Sequence, residues 1–168
     1  MIQQRDISRV TFSLSLLIQS NNKRVSYYKS VAARTQDNDL QSLCMAYADQ
    51  SQNFTEDLTR WVRAYGSTPA PAKKTSLATQ AWERMKNLLA DEQAAAMSGA
   101  IERDTLKVYK TALALSFIPS TVASDIRKHV RDLERARDLF EVLRTEAQVM
   151  RAQGSLLRQD ATEEMVAA

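Results

Sequence analysis

Residues 38–66 read NDLQSLCMAYADQSQNFTEDLTRWVRAYG. Leu40, Leu43, Tyr47, Gln50, Phe54, Leu58, Trp61 and Tyr65 recur at spacings of three and four, the mark of one helix face turned inward. Asn38, with Gln41 three residues on, resembles a capping box that starts the helix. Gly66 is suited to the left-handed position just past its end. The stretch therefore predicts one long amphipathic helix running to about Tyr65.

The same period appears on both sides of it. Upstream, Ile7, Val10, Leu14, Leu17, Asn21, Val25, Tyr28 and Ala32 predict a first helix over about Arg5–Arg34. Downstream, STPAPAKKTS (67–76) carries two prolines and no period, and reads as a connection. A short amphipathic segment follows over about 76–89, with Leu77, Trp82, Met85 and Leu89 on one side. Met97, Ile101, Val108, Ala112 and Leu115 predict a third long helix over about Asp91–Phe117. Pro119 and Ser120 open a fourth, which Val122, Ile126, Val130, Leu133, Phe140, Leu143 and Ala147 carry to about Met150. Residues 151–168, with Gly154 and weak periodicity, read as a flexible C-terminal tail beyond a bundle over 1–150.

Three glycines and three prolines in 168 residues are too few for the turns of a β protein. The fold class is therefore all-α. Long helices pack best side by side, and the segment between the second and third leaves enough chain to travel back along the bundle. That crossover makes a ferritin-like four-helix bundle the expected architecture.

The net charge of +3, from 23 basic and 20 acidic residues, is balanced, and gives no footprint for nucleic acid. The run RKHVRDLERARD (127–138) mixes signs, as a solvated, salt-bridged helix face does. Cys44 stands alone, so no internal disulfide forms and a reducing cytoplasm is expected. The apolar run TFSLSLLI (11–18) is too short to span a membrane and belongs to the first helix.

Di-metal centres in such bundles use two Glu and two Glu-x-x-His motifs. This chain has one histidine, His129, and Ile126 stands three residues before it. The strict site is excluded and no cofactor is expected. His129 is read as a bundle-edge or solvated residue, and Cys44 as a small buried hydrophobe. Asn21 and Gln50, on otherwise apolar stripes, are expected to bond to one another, to backbone or to water, or else to be the remnant of a ligand site. Phe12 and Leu16 lie off the main stripe of the first helix. They are either a partner surface, most simply of a homodimer, or packed beneath the crossover.

YYKSVA (27–32), ADQSQNFTEDL (48–58), Gly66, Trp82, IERDTLKVYKTAL (101–113) and DLERARDLF (132–140) together resemble the bacterial ferritin-like proteins called "domain of unknown function 2383", some of them stress-associated. The likeness covers roughly 17–144. It implies a set of central carboxylates and a histidine that in some members hold metal. On this sequence the acidic positions of that set fall on Gln50, Glu102 and Asp132, the histidine on Arg137, and the first-helix acid near Arg24 and Val25. Gln50, Glu102 and Asp132 are thus candidate remnants of a metal site. The plainer reading makes Glu102 and Asp132 partners of nearby Arg or Lys on a polar face. A non-enzymatic, stress-related bundle acting through homodimerisation or another protein partner is the leading expectation. A divergent iron- or manganese-binding protein or oxidoreductase is the alternative. A second alternative is an adaptor docking through the tail after Gly154.

Overall fold

The structure is a computed structural model that describes residues 4–69 and 91–166. Among them are four helices and no strand: α1 Gln4–Ala32, α2 Asn38–Ala64, α3 Asp91–Leu113 and α4 Ser120–Val166. The short helix expected over 76–89 lies outside the described residues.

α1 packs along α2 and α3, and α4 packs along α3 and α2. Cross-helix pairs give the directions. From α1 to α3 they run Asn21–Tyr109, Arg24–Glu102 and Tyr27–Ala94, one number rising as the other falls. From α2 to α4 they run Tyr47–Phe140, Asp57–His129 and Trp61–Asp125, again antiparallel. α2 therefore ends beside the start of α4, whereas α3 starts beside Tyr27, toward the opposite end. The end of α2 and the start of α3 thus lie toward opposite ends of the bundle.

Helix boundaries follow from local hydrogen bonding, and several differ from expectation. The N-cap of α2 is Asp37, not Asn38. Its Oδ1 accepts from the amides of Asp39 (2.9 Å) and Leu40 (3.1 Å), satisfying donors that a helix start leaves orphaned. The Gln41 side chain, expected in a capping box, instead donates to Ala32 O at the end of α1 (2.9 Å). Gly66 does close α2, with φ of 70°. Its amide reaches Arg63 O and that of Ser67 reaches Val62 O, the paired bonds of a Schellman motif.

α3 stops at Leu113 rather than near Phe117. The amides of Ala114 and Leu115 tighten onto carbonyls three residues back, and Pro119 disfavours helical geometry at Ile118. α4 does not end near Met150 but continues to Val166, 47 residues in all, or about 70 Å. Gly154 lies inside it without a positive φ. A mid-helix glycine costs about 1 kcal/mol relative to alanine, which weakens a helix without ending it.

The core divides in two. Val10, Leu14, Leu17, Phe54, Leu58, Leu106, Tyr109, Ile126 and Leu133 belong to one cluster. Tyr27, Tyr28, Val31, Cys44, Ala48 and Phe140 belong to the other. The most buried line of α2 is Leu40, Cys44, Ala48, Ser51, Phe54, Leu58 and Val62. Leu43, Tyr47, Trp61 and Tyr65 of the expected stripe are only partly buried. Leu40, Phe54 and Leu58 of the expected stripe do lie on the buried line, whereas the small Cys44, Ala48 and Ser51 take the interior places expected of Leu43, Tyr47 and Gln50. Cys44 is buried as expected, and burial pushes its thiol up to about 12.

Candidate functional site

Between the two apolar clusters lies a polar layer. α1 contributes Asn21 and Arg24, α2 contributes Gln50 and Ser51, and α3 contributes Glu102 and Thr105; all but the partly covered Gln50 are buried. Arg24 holds a place three residues after Asn21 and four before Tyr28, the spacing of the buried α1 stripe. The expectation had put Val25 there, and Val25 is only half-buried.

Arg24 and Glu102 are both fully buried and form an ion pair. Arg24 Nη2 and Nε donate to Glu102 Oε1 at 2.7 and 3.0 Å. Two further donors are used as well: Nη1 reaches Ser51 Oγ at 2.9 Å, and Nη2 reaches Gln50 Oε1 at 3.2 Å. Ser51 passes its own proton to Tyr47 O at 2.7 Å. The Tyr28 hydroxyl also donates to Glu102 Oε1. One carboxylate oxygen thus collects every donor, and Oε2 has none.

Burial is the largest influence on this centre and raises the Glu102 carboxyl above its ordinary range. The Arg24 charge, and the Tyr28 and Arg24 hydrogen bonds, oppose it. Tyr28 is raised well above its usual value, first by burial and then by the Glu102 charge. Its ring stacks on Phe140 at 5.8 Å and tilts against Tyr47 at 5.7 Å, so the polar layer is sealed on that side by aromatics.

The candidate metal residues separate. Gln50 and Glu102 do meet, but around the Arg24 guanidinium. Asp132 is on the surface of α4, paired with Arg135 at 3.2 Å. Arg137 pairs with its neighbour Asp138 at 2.6 Å. Among the described residues no group of three or more His, Cys, Asp or Glu side chains is placed to hold a metal ion. A guanidinium cannot lose its proton in a protein, so this centre is a fixed cation held by a carboxylate.

Asn21 and Gln50 do not bond to one another. Asn21 Nδ2 donates to Leu17 O (3.0 Å) and to the Tyr109 hydroxyl (2.6 Å). No apolar-stripe argument could find Arg24, since a long charged side chain is ordinarily assigned to water.

His129 also departs from expectation, being 3% exposed rather than solvated. Its ring stacks on Phe54 with centroids 3.9 Å apart and meets Tyr109 edge-on at 5.9 Å. Nε2 lies 3.2 Å from Asp57 Oδ2, while Nδ1 has no partner. Burial lowers the His129 pKa from 6.5, against the pull of Asp57. The folded state therefore favours neutral imidazole. The unfolded chain takes up the proton first as pH falls, so stability is full above 6.5 and declines below it until the folded pKa is passed. Urea unfolding at neutral and mildly acid pH should show that decline, and His129→Gln should flatten it. An equal slope in the variant would assign the acid sensitivity elsewhere.

Phe12 and Leu16 are 66% and 42% exposed; the crossover segment that was the alternative cover for them lies outside the described residues. No described helix is long and apolar enough to cross a membrane. These features define an antiparallel four-helix bundle with an ion pair at its centre. No protein-family model matches the chain, and no curated protein matches it.

Proposed function

We propose that this chain is a ferritin-like bundle without a metal centre, a non-enzymatic cytoplasmic protein that works through its surface in contacts with itself or another protein. The observation that carries this is the buried Arg24–Glu102 pair, 2.7 Å apart with both side chains fully buried. A permanent cation on the central carboxylate supports a reading in which no metal ion is held there. The ferritin-like assignment is supported by the antiparallel neighbours and by the end of α2 and the start of α3 lying toward opposite ends of the bundle. Kinship with the "domain of unknown function 2383" proteins, and the stress-related role it implies, rest on the motifs quoted above. Homodimerisation is supported by Phe12 and Leu16, large apolar side chains left exposed on α1.

One observation favours the metal-binding alternative: Glu102 Oε2 is buried without a partner, as an unfilled ligand would be. Metal analysis of protein from iron- or manganese-supplemented cells separates the readings. The expected result is no stoichiometric metal; bound metal that is lost in Glu102→Ala overturns the proposal. Light scattering on the same sample should give a dimer that Phe12→Glu with Leu16→Glu converts to monomer. A monomeric wild-type protein at high concentration would remove the α1 interface.

A further inference from the structure

The outer groove between α3 and α4 contains one rung of like charge. Arg103 pairs with Glu141 at 2.9 Å and Lys110 with Glu134 at 2.6 Å, each joining the two helices. The antiparallel register of those pairs puts Lys107 level with Arg137, midway between them. Both line a groove of about 520 Å³, with Leu106 and Ala114 among its apolar walls. Lys107 has no carboxylate partner among the described residues. Arg137 is paired along its own helix, with Asp138, whose side chain is 65% exposed. Cation faces anion in the rungs on either side, and cation faces cation in the middle.

Two like charges held across a groove repel, and an anion between them converts that repulsion into two attractions. We propose that this groove binds a small phosphorylated molecule, with a phosphate seated between Lys107 and Arg137. Arg137 Nε and Nη2 both donate to Asp138 Oδ1, at 2.9 and 2.6 Å; that pair is exposed, so the fork can exchange the carboxylate for two phosphate oxygens at little cost, while Lys107 supplies a point charge to a third. Arg103 and Lys110 stand one turn away on either side. Their pairs with Glu141 and Glu134 are solvent-exposed, so each is worth about 0–1 kcal/mol and yields readily to a second phosphate. Glu134, Asp138 and Glu141 border the groove, which favours a compact anion over a long polyanion such as nucleic acid. The site is independent of whether the bundle centre holds metal.

Inorganic pyrophosphate titrated into the full chain at low ionic strength, followed by calorimetry, tests this. One saturable site per chain is expected, with Kd on the order of 1 mM or tighter. Lys107→Ala and Arg137→Ala should each weaken it about tenfold, the effect of losing one charge-assisted contact. Lys128→Ala, which removes an exposed cation elsewhere on α4, should leave it unchanged. Absence of saturable binding, or equal weakening in all three variants, overturns the proposal. So does tighter binding of single-stranded nucleic acid that also depends on Lys107 and Arg137, because the site would then serve a polyanion.

Discussion

Arg24→Ala should destabilise the protein by about 3–5 kcal/mol, because it leaves Glu102 buried without its counter-charge. In a domain of this size that corresponds to a Tm lower by roughly 6–20 °C. The loss is specific to leaving one partner alone. Replacing both, as in Arg24→Met with Glu102→Leu, removes the desolvation of two ions together with their attraction, and should restore most of the stability or exceed it. The single variant should also acquire a distinctive pH dependence. Without Arg24, Glu102 keeps its burial and loses the charge that opposes it, so its folded pKa rises further above 4.5. A carboxyl raised in the folded state contributes most below its unfolded pKa and loses that contribution as pH rises through the folded value. Arg24→Ala should therefore be weakest at neutral pH and recover on acidification. Thermal unfolding across that range checks the sign. A single variant no less stable than a surface substitution would mean that the pair does not form.

Phe140→Ala should cost a similar amount, about 3–5 kcal/mol, for a different reason. Phe140 is fully buried between Tyr28 and Tyr47, at 5.8 and 5.5 Å between ring centroids. Truncation removes a large apolar side chain and two aromatic pairs, each worth roughly 0.5–1.5 kcal/mol beyond burial. Phe140→Leu keeps most of the volume and should cost about 1.5 kcal/mol or less if the neighbours repack. Val149→Ala, nine residues along the same helix and 51% exposed, should stay within about 0.5 kcal/mol of wild type. Chemical denaturation of the three variants therefore locates the end of the core on α4. A large loss in Val149→Ala would mean that the distal half of the helix is packed in solution, by another copy or another protein.

The bundle itself was legible in the residues. Stripes with a period of three and four on each helix, and the scarcity of Gly and Pro, leave no economical alternative to long helices packed in parallel rows. Gly66 was legible as well, because an L side chain at φ of 70° is costly and glycine is not. Boundaries were less so. Asp37 displaced Asn38 as N-cap because both carry a suitable side chain and only the backbone decides which one meets the free amides. The end of α4 was misplaced because Gly154 resembles a stop signal, and a glycine within a helix differs from one beyond it only in φ.

The centre was half legible. Absence of a second histidine excluded the usual di-metal set without any coordinates, since the ligand chemistry is a matter of residue types. Glu102 and Gln50 were also singled out, Arg24 only as standing near a position implied by the resemblance and Tyr28 only as part of an apolar stripe, whereas Ser51 was not. Each of these is an ordinary helical residue by itself. An arginine at a buried stripe position becomes intelligible only when Glu102, 78 residues away, comes within reach of its guanidinium across the α1–α3 interface. His129 follows the same logic: its neighbours in sequence are Lys128 and Arg131, but its neighbours in space are Phe54, Tyr109 and Asp57. Periodicity is a property of one helix and sufficed to determine an all-α bundle, while the residue count alone removed the histidines of a di-iron site. Pairing of charges belongs to two helices at once, so only the tertiary structure decided that the centre is an ion pair and that Lys107 faces Arg137 across an open groove.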